Sequence, residues 1–251
     1  MRVKQMRKKQ WVTFCAIVLA VCALCIAPLW YVVLPWAETN SILKAFAYGE
    51  DRNKERVVKE LGGGDVAYSK LRMYLRVPWS SAKHKRIALF IISTYGARSV
   101  PVLLDGLRDR SVAVRKVAIS RLIALGEDAY EVGVPGAVDH LDEVDDDVRD
   151  RICYFVGSGG AVAKPFKKKV VASLYNTEPG VRNTTLALVR FMGEHALDLR
   201  EDVVRLTKDG DENVRIQARA TLEAMEEIAE AKKAVGHQRT QDGEDCPKPE
   251  K

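Results

Sequence analysis

The second half of the chain repeats one pattern of apolar and polar positions. Four of its Val-Arg dipeptides recur at a regular interval: they begin at Val114, Val148, Val181 and Val214 and lie 34, 33 and 33 residues apart. The positions four and eight residues further on hold mostly apolar or small side chains, which are Ala118, Ile152, Thr185, Ala218, Leu122, Val156, Val189 and Leu222. Positions four and eight apart lie on one face of a helix. The pattern therefore predicts an amphipathic helix in each copy and a repetitive all-α fold.

The predicted helices have consistent end signals. Twelve residues after the first three valines the chain has Gly126, Gly160 and Gly193, where a helix-ending glycine in the left-handed region is expected. The fourth copy has Glu226 at this position, so its helix should continue to about Ala231. An earlier stretch that starts at His84 follows the same spacing and adds a divergent first copy.

Shorter apolar stretches that open near a proline separate these helices, so each unit is a pair of helices. This arrangement resembles the short HEAT-like repeats of bacterial proteins over roughly residues 84–230. The resemblance implies a right-handed α-solenoid, and Pro101, Pro135 and Pro165 match a proline common in the family's first helix. It also implies that an acidic turn residue pairs with the arginine, as Asp109 with Arg115 and Asp209 with Arg215. The third turn departs from this pattern because it has Asn176.

The arginines of the dipeptides have two interpretations. A cation in the first turn of a helix opposes the helix dipole unless a nearby carboxylate compensates it, which favours a structural role. The alternative is a basic stripe that binds an acidic partner. Both interpretations apply to Arg115, Arg149, Arg182 and Arg215.

The N-terminal region has the pattern of a membrane anchor. No charged residue occurs from Trp11 to Ala37, and residues 11–36 are long enough to cross a hydrocarbon core of roughly 30 Å. A cleaved signal peptide is the competing interpretation, although its apolar region should be only about 7–15 residues long. Five Lys or Arg side chains precede the span, so the N-terminus is expected in the cytoplasm and the repeats outside it, on the periplasmic or cell-surface side.

These patterns divide the chain into five segments. They are a basic cytoplasmic N-terminus (1–10), a transmembrane anchor (11–36), a juxtamembrane segment with a helical cap (37–83), a HEAT-like domain (84–235) and a disordered tail (236–251). Within the span, four alanines share a helical face suited to weak association between two copies. They are Ala16, Ala20, Ala23 and Ala27.

Charge and residue spacing limit the functional classes. The net charge is +6, of which residues 1–37 supply +5, so the remaining chain carries only +1 and lacks the balance of a nucleic-acid-binding protein. The histidines occur singly and no catalytic, phosphate-loop or metal-ligand spacing is found, so no enzyme activity, cofactor or metal is expected. Asp145, Asp146 and Asp147 fit the N-terminal turn of a helix, and Cys153 fits a small core position.

The predicted function is that of a membrane-anchored scaffold that binds unidentified protein partners. In HEAT-like arrays the second helices line the concave face, which places a set of aromatic and basic residues on the predicted partner-binding surface. They are Arg86, Phe90, Lys116, Arg121, Tyr154 and Arg190. Phe155 lies beside Tyr154 but is expected to pack between repeats. The alternative is an accessory or lyase-type subunit of an enzyme system, since some HEAT-like proteins resemble subunits that attach bilin chromophores.

Overall fold

A computed structural model describes residues 32–47 and 53–244, and the side chains as far as residue 234. The described residues are helical and contain no strand, which confirms an all-α protein. Most of the predicted span (11–31), its four alanines and residues 245–251 lie outside the described residues.

The described residues belong to two compact units, with the division between Ile92 and Ser93. The N-terminal unit contains α1 (residues 32–47), α2 (Lys54–Glu60), α3 (Gly64–Arg76) and α4 (Ala82–Ile92). Helix α1 continues without a break through the predicted boundary between anchor and juxtamembrane segment at residues 36 and 37. Helix α4 packs against α3 in this unit, whereas the sequence placed it at the start of the repeat domain.

Ring stacking and side-chain hydrogen bonds connect α1 to α3, to α4 and to the segment between them. The Trp36 ring stacks on Tyr74 at 6.3 Å, and its indole N–H donates to Ser80 Oγ at 2.8 Å. The Tyr74 hydroxyl donates to Asn40 Oδ1 at 2.8 Å, and the same oxygen lies 2.9 Å from His84 Nδ1. Because Leu43, Leu71 and Leu89 are fully buried beside this network, the unit has its own apolar core.

The C-terminal unit alternates short and long helices. Its elements are α5 (Val100–Gly106), α6 (Val112–Leu125), α7 (Glu127–Ala137), α8 (Asp146–Ser158), α9 (Lys167–Leu174), α10 (Pro179–Met192), α11 (Arg200–Leu206) and α12 (Glu212–Glu244). Helices α6, α8, α10 and α12 are the predicted helices that carry the four regularly spaced Val-Arg dipeptides. They contact one another in chain order. Their aligned valines, Val114, Val148, Val181 and Val214, are all buried.

Glycines follow α6, α8 and α10 at the predicted positions, but two of them do not have the left-handed helical conformation that was expected. Gly126 and Gly193 follow α6 and α10 with φ of 59° and 57°. Their ψ angles are −134° and −128°, so they lie outside the left-handed helical region, in conformations that other residues rarely adopt. Gly160, after α8, also has positive φ. Backbone conformation therefore explains the regular recurrence of glycine at this position.

Helix α12 is longer than expected. It runs to Glu244, beyond the end expected near Ala231 and into the segment from Gly236 that was expected to be disordered. Proline is absent between Asp211 and Cys246, and Ala, Glu, Lys, Gln and Arg dominate this stretch. These residues favour helix even where no amphipathic stripe is evident.

One helical run among the described residues, Ala82–Gly106, is long and apolar enough to cross a membrane, with a mean hydropathy of 1.6. This is weak evidence for a span, because the core helix of a soluble protein has the same properties. The run is also interrupted: α4 ends at Ile92, a 3₁₀ segment follows over Ser93–Ser99, and Gly96 has φ 62° and ψ −142°. A bilayer-spanning helix needs about 20 continuous residues.

Candidate protein-binding surface

The four turns before α6, α8, α10 and α12, named here the arginine turns, share one geometry. In each, the Val-Arg arginine donates Nη1 to the main-chain oxygen six residues before it, at 2.8–3.0 Å. The pairs are Arg115 with Asp109, Arg149 with Glu143, Arg182 with Asn176 and Arg215 with Asp209. The side chain of each of these acceptor residues in turn accepts from the main-chain N–H two residues further on, at 2.9–3.0 Å. Guanidinium groups thus satisfy main-chain carbonyls of the turns that connect the helices.

Two of these arginines also reach forward to the next turn. Arg115 donates Nη2 to Glu143 Oε1 at 2.8 Å, and Arg182 binds Asp209 through two hydrogen bonds of 2.9 and 2.7 Å. The predicted pairing of the Asp209 carboxylate with Arg215 was therefore wrong. The carboxylate pairs with Arg182 of the preceding turn, while Arg215 donates to the main-chain oxygen of Asp209. The Arg182 guanidinium holds the pKa of Asp209 below its usual range. These pairs connect successive turns.

Arg149 is the exception. The forward position holds Asn176, as the sequence indicated, and Arg149 instead pairs with Asp146 on its own helix. Its Nε donates to Thr184 Oγ1 at 3.4 Å, and the Arg149 side chain is only 6% exposed. Asp146 is 84% exposed, so this carboxylate is largely hydrated and compensates a buried cation less well than Glu143 or Asp209 would.

The three consecutive aspartates have the helix-start role that the sequence predicts. Asp145 is the N-cap of α8, where its carboxylate accepts from the Val148 N–H at 3.0 Å. Asp147 binds Arg151 at 2.9 Å and Lys116 at 3.1 Å. Among the residues that the structure describes, no group of three metal-ligating side chains converges.

An exposed aromatic pair, Tyr154 and Phe191, lies across α8 and α10. The rings meet edge to face with their centroids 5.1 Å apart, and the side chains remain 44% and 43% exposed. Neighbouring Phe155 is buried, and its ring centroid lies 5.5 Å from that of Tyr130 on α7, within one predicted helix pair. Adjacent exposed aromatic rings offer a large apolar area with little conformational entropy to lose, which is typical of residues that anchor protein interfaces.

Gly157 allows α8 and α10 to approach beneath this pair. A Cβ at position 157 would lie 2.5 Å from Phe191 Cβ and 3.0 Å from the Leu188 main-chain oxygen. Neither contact is possible without moving α10, because both involve atoms close to its backbone. The small residue on α8 therefore places Phe191 against Tyr154.

The predicted basic residues of this unit are not an uncompensated cationic patch. Lys116 is paired with Asp145 at 3.3 Å as well as with Asp147. The Lys116 amino group is the first cause of the lowered pKa of Asp147, ahead of Arg151. Arg121 is half-buried on α6, whereas Arg190 is exposed next to Phe191. Of these three residues, Lys116 is thus compensated by carboxylates, and Arg190 is the one adjacent in sequence to a member of the aromatic pair.

The other two predicted residues, Arg86 and Phe90, lie on α4 in the N-terminal unit. Arg86 is exposed, while the Phe90 ring is covered by the Lys54 amino group, 4.0 Å from its centroid. Arg86 and Phe90 therefore belong to a different unit from the other four predicted residues.

Phe191 was missed by the sequence analysis. It lies ten residues after Val181, where the other copies have Ala124, Ser158 and Ala224, so the alignment held a usable signal. A single bulky residue at a position of small residues indicates either a local packing change or a site. Cys153, in contrast, is buried as expected, and burial raises the pKa of its thiol to about 12.

The chain was compared with protein-family models and with curated proteins. Neither a protein-family model nor a curated protein matches the chain. The class established by the structure is an all-helical protein.

Proposed function

We propose that this chain is a membrane-anchored, non-catalytic scaffold whose C-terminal unit is an α-solenoid of HEAT-like helix pairs. Three observations support the solenoid: the recurrent arginine turns, the contacts of α6, α8, α10 and α12 in chain order, and the glycine-ended helices. Such arrays present extended surfaces and act by binding more often than by chemistry. The unit would bind another protein through the surface that contains Tyr154 and Phe191.

The aromatic pair is the observation that carries the binding role. Two neighbouring rings on separate helices stay nearly half exposed, although the same helices bury Phe155, Leu188 and Met192. Exposed aromatic side chains that are held in place by their neighbours lose little entropy when a partner covers them.

The anchor would be residues 11–36, with the N-terminus in the cytoplasm and the residues after 36 on the other side. The five basic side chains before this uncharged stretch support that orientation. The run Ala82–Gly106 is the less suitable candidate because Gly96 divides it and its helices contribute Ala88, Leu89 and Leu103 to buried cores.

Photo-crosslinking of the full chain tests the binding surface. Benzoylphenylalanine would replace Tyr154 in one variant and Tyr175 in the other, in cells of the organism that encodes the chain. Tyr175 is a matched control because it is a tyrosine of similar exposure, 47%, which bonds to Asp202 and Arg205 instead of an aromatic neighbour. A discrete adduct is expected at position 154 alone, and the Phe191→Ala substitution should weaken it. The same adducts from both positions, or none, would contradict the proposed surface.

A reporter fusion tests the orientation. A reporter that folds only outside the cytoplasm, fused after Lys251, should be active in the full chain. Activity of a cytoplasm-only reporter at the same position would place the scaffold in the cytosol instead. Reversal of the five N-terminal basic residues to acidic ones should invert the result, since their charge sets the orientation.

A further inference from the structure

The N-terminal unit has an open cleft between the start of α1 and the end of α3. Its volume is about 550 Å³, within the range of small-molecule sites. The lining residues are Val32, Ser69, Arg72, Met73, Arg76, Val77, Pro78 and Trp79. Two cations and several apolar side chains therefore share one cavity, a combination that suits an amphipathic anion.

The cationic side of the cleft comes from α3. Arg72 and Arg76 are four residues apart and lie on the same helical face. Both are exposed; Arg72 has no ion pair among the described residues, whereas Arg76 has an interaction partner within the protein. The nearby acidic residue Glu38 is already engaged, 2.8 Å from the amino group of Lys70. The C-terminal end of α3 contributes roughly half a negative charge, which two guanidinium groups outweigh.

The apolar side of the cleft faces solvent. Trp79 is 61% exposed, and the first described turn of α1 exposes Val32, Val33 and Leu34. These three valine and leucine residues belong to the uncharged stretch that ends at Ala37. Tryptophan is enriched at the depth of lipid headgroups, where one edge of its ring is wet and the other apolar.

The cleft is held in shape before any ligand binds. Trp36 contacts Trp79 edge to face at 6.3 Å, in addition to its stacking on Tyr74 and its bond to Ser80. Ser80 in turn donates to the Tyr74 main-chain oxygen at 2.9 Å. These contacts fix α1 against the segment that follows α3, so the two sides of the cleft keep their spacing.

We propose that this cleft binds the headgroup phosphate of an anionic phospholipid, with Arg72 and Arg76 on the phosphate and Trp79 beside the upper acyl chain. The inference rests on the proposed anchor, because a span ending at residue 36 puts Val32 about 6 Å from its end and hence near the headgroups. The juxtamembrane unit would then be fixed in orientation on the lipid surface.

The test uses the full chain reconstituted into phosphatidylcholine vesicles that contain a trace of spin-labelled lipid. The immobilised fraction of the label, measured by electron paramagnetic resonance, compares labelled phosphatidylglycerol with labelled phosphatidylcholine. The wild-type chain should prefer phosphatidylglycerol by between about fivefold and thirtyfold, the range expected for one to two arginines near an anionic headgroup. The double variant R72Q/R76Q should lose this preference.

The matched control is K59Q/K83Q, which removes the same charge from two exposed lysines of the same unit outside the cleft. It should keep the preference, and circular dichroism should show both double variants folded. Equal loss in both variants, or no preference in the wild-type chain, would overturn the lipid site. So would full competition by millimolar inorganic phosphate, which would indicate a free-anion site. A chain that alkaline carbonate releases from the vesicles would overturn the anchor as well, so the two proposals fail with different results.

Discussion

The two units of this protein are stabilised by different kinds of contact. In the N-terminal unit, one set of side chains around Trp36 and Tyr74 forms a hydrogen-bonded network that occurs once. In the C-terminal unit, one type of contact, arginine on a main-chain oxygen six residues back, occurs at four turns. A contact that occurs at four turns tolerates the loss of one copy better than a single network tolerates the loss of one member, because three equivalent contacts remain.

Within the C-terminal unit, the three connections between successive arginine turns differ. The pairs Arg115 with Glu143 and Arg182 with Asp209 join consecutive turns, and in both pairs the carboxylate side chain is only 9% exposed. Arg149 has Asn176 ahead of it and depends on exposed Asp146. The middle connection should accordingly be the weakest of the three.

The largest expected effect is in the apolar core of the C-terminal unit. Leu122 is fully buried, so Leu122→Ala should lower the free energy of unfolding by about 2–5 kcal/mol through lost burial and a cavity. Thermal denaturation followed by circular dichroism measures this change. Lys168→Glu, at an exposed position, is the control and should have almost no effect. A similar loss in both variants would mean that the assigned helical register is wrong.

The next largest effect is expected at the buried ion pair. Asp209→Ala removes both bonds to Arg182 and the bond from the Asp211 N–H, and it leaves the guanidinium partly buried, which together should cost about 2–3 kcal/mol. Asp198→Ala removes a surface partner of Lys167 and should cost less than about 1 kcal/mol. Urea denaturation of both variants gives the comparison. Equal losses would show that the pairs between turns contribute no more than surface ion pairs.

Much of the C-terminal unit could be predicted from the sequence because its contacts are local and periodic. The spacing of Val114, Val148 and Val181 located the long helices, and the glycines located their ends. The forward partner of Arg182 was not predicted, because acids lie on both sides of each turn and only the stacking of turns selects between them.

The N-terminal unit was predicted less well for a related reason. Its network joins Trp36 to Ser80 and Asn40 to His84, which are pairs 44 residues apart with no periodic signal. Helix α4 matched the repeat spacing, yet its buried face packs in the other unit. To predict the aromatic pair, one needs both the alignment of the four sequence copies and the knowledge that α8 contacts α10. Tyr154 alone does not reveal its neighbour Phe191.

The stability of the N-terminal unit should depend on pH through His84. Burial is the first cause of the lowered pKa of His84, followed by the charges of Lys83 and Lys44. The unfolded chain then binds a proton that the folded chain does not, so stability is highest above the ordinary pKa of 6.5 and falls as the pH drops toward the folded value.

Tryptophan fluorescence reports this effect for the N-terminal unit alone, because every tryptophan of the chain precedes Ser93. The midpoint of urea denaturation should fall between pH 7 and pH 5, and His84→Gln should flatten the dependence. His140→Gln is the control: burial also lowers the pKa of His140, but this residue lies in the C-terminal unit. An unchanged slope in His84→Gln, or a flattened one in His140→Gln, would contradict the assignment.

The smallest effect tests the weak middle connection of the C-terminal unit. Asn176 already accepts from the Glu178 N–H at 2.9 Å, as Asp209 does from the Asp211 N–H, so an aspartate fits the turn without a change of backbone. Asn176→Asp would place a carboxylate at the position that Asp209 occupies relative to Arg182. We expect a gain of up to about 1 kcal/mol, since Arg149 already has a partial partner in Asp146.

The double variant with Asp146→Asn sharpens this measurement. If residue 176 takes over the pairing, the loss caused by Asp146→Asn should be smaller in the Asn176→Asp background than in the wild type, which a double-mutant cycle detects as a coupling energy. Additive effects would show that residue 176 does not reach Arg149. The turn at residue 176 would then share the main-chain geometry of the other turns without a side-chain connection to Arg149.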